Sequence, residues 1–215
     1  MKIKGAIFDM DGVLFDTERL YQQVWREIAA ERGIELESSF LKAISGTNGG
    51  YMCQVIEEYY HVMDGTNIME ECMARIKRKL SVYVPIKKGV PEILKFFQEK
   101  GIPIAVASSS STQQIINNLK TAGLSDYFSV IVSGTEVSHG KPAPDIFLSA
   151  AKKIDVRPEA CAVFEDSENG IKAGYAAGCI TIMVPDLIEP SMAIRSYCKK
   201  ICVDLLQAKQ EIMDI

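Results

Sequence analysis

Two aspartates one residue apart, Asp9 and Asp11, end the apolar run of IKGAIFDMDGVLFDTE. In an extended chain, side chains at i and i+2 project to the same side, so these carboxylates must crowd each other unless something offsets the repulsion. Other short apolar runs also end in reactive groups. IPIAVA is followed by Ser108, Ser109 and Ser110, the loop after VIV runs on to Lys141, and ACAVF leads into Glu165 and Asp166. Four negative charges in one cleft cannot all stay ionised without a cation, and an all-oxygen donor set favours a hard ion such as Mg²⁺. A partly hydrated Mg²⁺ held by carboxylates commonly completes its shell with substrate phosphate oxygens. The serine loop, at the head of a helix, offers hydroxyls and unpaired backbone N–H groups to an anion, and Lys141 adds positive charge. The chemistry indicated is that of a phosphate ester.

Two aspartates suggest divided labour. One carboxylate can attack phosphorus and form an aspartyl-phosphate, splitting a difficult displacement into two easier steps. The other can give a proton to the leaving alcohol and take one from the incoming water. Asp9, at the rigid strand end, fits the nucleophile. Asp11, before the freely turning Gly12, fits the general acid/base.

The elements that must position these groups are legible from apolar spacing. Short runs (AIF at 6–8, IPIAVA at 102–107, VIV at 130–132, ACAVF at 160–164, ITIMV at 180–184) read as strands. Helical spacing separates them: Ile93, Leu94, Phe96 and Phe97; Ile115, Ile116 and Leu119; Ile146, Phe147, Ala150 and Ala151. Such alternation predicts an α/β fold, a Rossmann-like, mostly parallel sheet with helices on both faces and its ligand beyond the carboxyl ends of the strands. Between residues 17 and 85 the spacing is helical throughout, as in Leu20, Tyr21, Val24, Trp25 and Ile28. The expectation is an all-helical cap domain over 17–85, broken at the GTNGG stretch of 46–50, inserted into a core of 1–16 and 86–215.

The 215 residues, 47% of them apolar, suffice for one substantial domain with an insertion. A net charge of −4 provides no basic footprint for nucleic acid, and no window approaches the ~18 apolar residues of a membrane span. The first eight residues lack the apolar stretch of a secretory signal, because Lys2, Lys4 and Asp9 interrupt it. A cytoplasmic monomer with a small partner is expected. Six scattered cysteines without CxxC pairs read as reduced thiols. Cys198 and Cys202 can share a helical face, but two histidines in the whole chain leave structural zinc short of ligands.

Each feature alone has a plainer reading. DxDG occurs in calcium loops, yet Val13 and Phe15 stand where such a loop needs oxygen ligands. The serines read equally as helix caps, with Ser110 and Gln113 fitting a capping box. Lys141 before two prolines reads as an exposed residue ahead of a helix, and Glu165 and Asp166 as an ordinary turn supported by Asn169. Trp25, Tyr59, Tyr60 and the methionines of the helical stretch read as packing, and His61 and His139 as surface residues. Joint placement at successive strand ends favours the chemical reading.

DMDGVLFDTE at 9–18, Ser108 after IPIAVA, GKPAPDIF at 140–147 and FEDSENGIKAG at 164–174 together resemble the four signature motifs of the haloacid dehalogenase superfamily. The order is right and the resemblance spans essentially the whole chain. It points to the branch with a helical cap after the first motif, which holds small-molecule phosphatases and β-phosphoglucomutase. The resemblance implies Asp9 as nucleophile and Asp11 as general acid/base, with the Asp11 backbone carbonyl also on Mg²⁺. It implies Ser108 and Lys141 on the phosphoryl group, and Glu165 and Asp166 anchoring the metal; Ser109 joins the phosphate-binding loop. Asp11 argues against a true dehalogenase, where the second acid of DxD is normally missing.

The chain departs from the mutase pattern. β-Phosphoglucomutase carries a histidine in the first cap helix and a Lys and an Arg around the cap-loop glycine, where Tyr21, Ser45 and Gly49 stand here. Without a second cationic phosphate site, transfer to water is favoured. The expected function is therefore a Mg²⁺-dependent phosphatase acting on a small phosphorylated metabolite, such as a sugar phosphate or nucleotide. A sugar phosphomutase and a non-catalytic phosphate-sensing domain are the alternatives.

Overall fold

The computed structural model describes residues 3–44, 49–187 and 189–213. The chain divides into two compact units, Met1–Asp16 with Val84–Ile215, and Thr17–Tyr83. In chain order, strand β1 (Gly5–Phe8) precedes helices α1 (Thr17–Glu31), α2 (Ser38–Ile44), α3 (Gly49–Tyr60) and α4 (Thr66–Val82). There follow α5 (Val90–Glu99), β2 (Ile104–Ser108), α6 (Thr112–Thr121), β3 (Val130–Ser133) and α7 (Asp145–Lys153). The chain closes with β4 (Cys161–Glu165), α8 (Glu168–Ala176), β5 (Ile180–Met183), α9 (Met192–Arg195), β6 (Lys200–Ile201) and α10 (Leu205–Ile212).

Among the described residues, six strands form one sheet in the order β3-β2-β1-β4-β5-β6, every neighbouring pair parallel. This is the doubly wound α/β arrangement expected of strands alternating with helices, and its strand order reverses between β1 and β4. Both faces of β1, β2 and β4 are buried, which is why their sequences read as unbroken apolar runs. On one face Ile7, Ala105, Ala107 and Val163 pack with Ile146, Phe147, Ala150 and Ala151 of α7 and Ala173 of α8. On the other, Phe8 stacks on Phe164 with ring centroids 4.4 Å apart, and Phe97 of α5 meets Phe8 edge-on at 6.1 Å. Aromatic pairs of this kind add to the area they bury.

In the helical unit, Trp25 of α1, Phe40 of α2 and Tyr60 of α3 form a mutual edge-to-face cluster, with centroids 5.7 to 6.4 Å apart. The Tyr60 hydroxyl donates to the Trp25 carbonyl at 2.7 Å, so this buried phenol is satisfied. The aromatic residues of this unit are thus packing residues. All six cysteines are free thiols. Cys198 and Cys202 do not share a helix: the first follows α9 and the second follows β6. Among the described residues, no helix is long and apolar enough to cross a membrane.

Candidate active site

Because all strands run the same way, their carboxyl ends open on one rim, and the two strands at the reversal deliver the acids. Asp9 lies one residue beyond β1, its N–H still bonded to the Phe164 carbonyl at 2.9 Å. Phe8 is level with Phe164, so Asp9 and Glu165 emerge side by side. Carboxylate oxygens of Asp9, Glu165 and Asp166 all lie within 4.8 Å of one another.

Lys141 is inserted into this group. Its Nζ contacts Asp9 Oδ1 and donates to Glu165 Oε1 at 2.7 Å, and the Ala107 carbonyl at the end of β2 lies 3.4 Å away. The ammonium stands 5.0 Å from the centroid of the Phe147 ring, so an apolar floor supports it from α7. Its side chain is only 8% exposed. The plain reading of Lys141 as a solvated residue is therefore overturned, because α7 and two carboxylates hold the side chain inward.

One lysine thus faces three carboxylates. Burial pushes the Asp9 carboxyl up to about 7; Lys141 pulls against that shift, while Glu165 and Asp11 add to it. Burial, and then the charges of Glu165 and Asp9, raise Asp166 well above the usual carboxylate range. For Lys141, burial disfavours the charge, but attraction to Asp9 and Glu165 outweighs it and leaves the pKa raised. Fully ionised, the group would hold more negative charge than one ammonium can balance, which is why two of its acids are held towards the protonated form. With only oxygen donors, it fits a hard divalent cation.

Two glycines make room for the acids. A Cβ on Gly12, whose φ is +84°, would overlap the Asp166 carboxylate, and a Cβ on Gly170 would overlap that of Glu165. Glu165 is held further by Ser167, whose N–H and hydroxyl donate to Oε2 at 2.7 and 3.0 Å. Ser167 also caps α8, accepting from the Gly170 N–H at 3.0 Å. Ser167 and Gly170 escape a reading that stops at the acidic pair; their signal was the S-x-x-G spacing directly after Asp166. Asn169, expected to support this turn, is exposed.

Asp11 behaves differently from the other acids. Its carboxylate accepts from the Ser110 hydroxyl at 3.1 Å, and it is not a member of the three-acid group. Ser108 is buried at the end of β2 and accepts from the Ser110 N–H at 3.1 Å. Ser109 is exposed. The capping residue of α6 is Ser111, which accepts from the Gln114 N–H, rather than Ser110. Ser110 is one residue too early because its hydroxyl is spent on Asp11. Of the residues named for the mutase comparison, Ser45 lies outside the described residues, as do Gly46, Thr47 and Asn48 of the GTNGG stretch.

The chain is similar to known phosphatases and to solved structures of the same fold. A phosphorylated carbohydrates phosphatase of Thermotoga maritima is 34% identical, with 82% of each chain covered. A fructose-1-phosphate phosphatase of Escherichia coli is 33% identical over 81% of this chain and 92% of the relative. Among solved structures, a HAD family hydrolase of Deinococcus radiodurans with bound phosphate and sodium superposes with a TM-score of 0.85 at 25% identity, covering 99% of this chain and 96% of that one. The β-phosphoglucomutase of Clostridium difficile gives 0.74 at 26% identity, with the same coverage. The family model for haloacid dehalogenase-like hydrolases matches residues 3–178, and with Asp9, Lys141, Glu165 and Asp166 gathered at the sheet's reversal point the chain belongs to that family of hydrolases.

Proposed function

We propose that this hydrolase is a Mg²⁺-dependent phosphatase that removes the phosphoryl group from a small phosphorylated metabolite, a sugar phosphate or nucleotide. The observation that carries the reading is the buried Asp9, gripped by Lys141 and set within 4.8 Å of Glu165 and Asp166. Asp9, Glu165 and Asp166, with the Asp11 backbone carbonyl, would hold the ion. Bound there, Mg²⁺ supplies charge neutralisation that lets an anionic nucleophile and an anionic ester approach.

The residues then divide the work. A carboxylate oxygen of Asp9 bonds to phosphorus while the bond from phosphorus to the ester oxygen breaks, and Asp11 gives its proton to that oxygen. Water next attacks the phosphorus of the acyl-phosphate. Asp11 takes the water's proton, inorganic phosphate leaves, and the Asp9 carboxylate is restored. Lys141, Ser108 and Ser109 orient the phosphoryl oxygens, and the Lys141 charge offsets what builds on them. The domain division adopted is a catalytic core of 1–16 and 86–215 with a cap of 17–85, which supplies substrate selectivity. The phosphatase names of the sequence relatives support transfer to water.

A panel of phosphorylated metabolites, assayed for released phosphate with and without Mg²⁺, tests the reading. Phosphate release that needs Mg²⁺ and vanishes in Asp9→Asn is expected. Undiminished release by Asp9→Asn would overturn the nucleophile, and an isomeric phosphate ester in place of free phosphate would identify a mutase.

A further inference from the structure

The Asp11 carboxylate is tied into a chain of hydrogen bonds that begins two strands away. Ser133, the last residue of β3, is wholly buried and lies level with Ser108 across the β2–β3 pair. Its hydroxyl donates to the Ser110 carbonyl at 2.6 Å. A serine hydroxyl has one proton to give and two lone pairs. With that proton used, Ser133 accepts from the Thr135 N–H at 3.1 Å and from the Thr135 hydroxyl at 2.8 Å. Its orientation is fully determined.

Two further contacts dock the serine loop on the same segment. Gly134 lies so close to Ser109 that a Cβ would stand 3.0 Å from the Ser109 Cα, and the Thr112 hydroxyl donates to Glu136 at 2.7 Å. Residues 133–136 thus set the backbone of the loop at Ser109, Ser110 and Thr112. Ser110, held at its carbonyl by Ser133 and at its N–H by Ser108, points its hydroxyl at Asp11 Oδ2.

We infer that Ser110 is a positioning residue for Asp11, and that Ser133 is the anchor that makes Ser110 rigid enough to do so. The inference rests on the reading of Asp11 as proton donor to the leaving group. A general acid displaced from the ester oxygen loses rate in proportion to how badly the leaving group needs a proton. Loosening Ser110 therefore costs most for poor leaving groups. A residue that only contacted substrate, or only stabilised the fold, would lower the rate for every ester alike.

The experiment measures kcat/KM for a series of aryl phosphates running from p-nitrophenyl phosphate, a good leaving group, to phenyl phosphate, a poor one. This parameter reports the steps up to loss of the leaving group, so later hydrolysis does not mask the effect. In Ser110→Ala, kcat/KM is expected to fall about tenfold more for phenyl than for p-nitrophenyl phosphate, a fraction of what a general acid contributes. Ser133→Ala should show the same steepening to a smaller degree, and Ser110→Thr should restore the wild-type slope. Asp11→Ala should be steeper still, and adding Ser110→Ala to it should change nothing further, since both act through one proton. Equal losses across the series, or additive losses in the double variant, overturn the relay. If Asp11→Ala itself leaves the slope unchanged, the general-acid reading fails and this inference with it. If Asp11→Ala steepens the slope but neither serine variant does, the relay alone is wrong.

Discussion

At the rim of the sheet, Lys141 is buried between Asp9 and Glu165, whereas in the helical unit Arg75 stands partly exposed between Glu31 and Glu71. The partner list is similar and the physics is not. Water screens the Arg75 cluster, so its pairs add little to stability, and the helical unit depends on Trp25, Phe40 and Tyr60 instead. Lys141 is almost wholly shielded from solvent, and each charge is tolerable only because of the others. The α/β unit therefore concentrates its tension at its chemistry, while the helical unit keeps charge where it costs least. A buried knot of this kind is evidence of function more than of stability.

The sharpest way to break the comparison is to remove one buried charge. With Asp9 as the proposed nucleophile, Asp9→Asn should lower turnover by roughly 10⁴-fold or more. The emission of Trp25, the chain's single tryptophan, should stay unchanged, because it reports the helical unit. Emission that shifts with this variant would mean that the two units are not independent.

Next in size is the converse experiment. Phe40→Ala removes a fully buried ring from the aromatic cluster and should cost about 3 kcal/mol, seen as an earlier denaturant midpoint in Trp25 fluorescence. Gly170→Ala should cost about 1–3 kcal/mol through overpacking against Glu165, and its Mg²⁺ affinity by calorimetry should fall about tenfold as Glu165 is displaced. Unaltered Mg²⁺ binding would show that Glu165 is not part of the ion's surroundings.

Effects of pH also separate the units. With its carboxyl raised from 3.8 to about 7, Asp9 keeps its proton in the folded protein over a range in which the unfolded chain has lost it. The folded state then binds more protons, so metal-free stability falls as pH rises through that window, and Mg²⁺ must displace protons below about pH 7. The rise in Tm caused by Mg²⁺ should be several degrees greater at pH 8 than at pH 5, because displacing one proton across about two pH units is worth about 3 kcal/mol. In the helical unit the sign reverses. Hydrogen bonds from Arg75 hold the Glu31 carboxyl below its usual 4.5, so its small stabilisation is complete above that pH and is lost as pH falls through the lower folded value. Arg75→Gln should flatten the acid limb of the Trp25 midpoint and leave neutral pH almost untouched.

Legibility followed the same divide. The strand ends were legible because a parallel sheet needs unbroken apolar runs, and whatever stops a run stands at the rim. Asp9 and Glu165 follow from that rule, whereas Lys141 lies in the loop that β3 feeds, eight residues beyond Ser133. β6 was not legible, since Lys200 and Ile201 make a strand only by pairing with Ile182 and Met183, and two residues carry no periodicity. The seven-residue α2 lies in the stretch read as helical, but it is too short to show a spacing of its own, and Phe40, the centre of the aromatic cluster, was not singled out. Side-chain direction was the other blind spot. Nothing local says that Ser110 turns to Asp11 while Ser111 caps α6, because both outcomes satisfy a serine.

The backbone leaves the sheet and returns to it at neighbouring points: the Asp16 N–H bonds to the Pro85 carbonyl at 2.9 Å, the Lys87 N–H to Leu14 at 2.9 Å, and Phe15 bridges to Ile86. Topologically, everything from Thr17 to Tyr83 is one long hairpin turn grafted onto a closed doorway. Such a doorway tolerates exchange of its contents, so the inserted stretch can be altered without touching the register of a single strand.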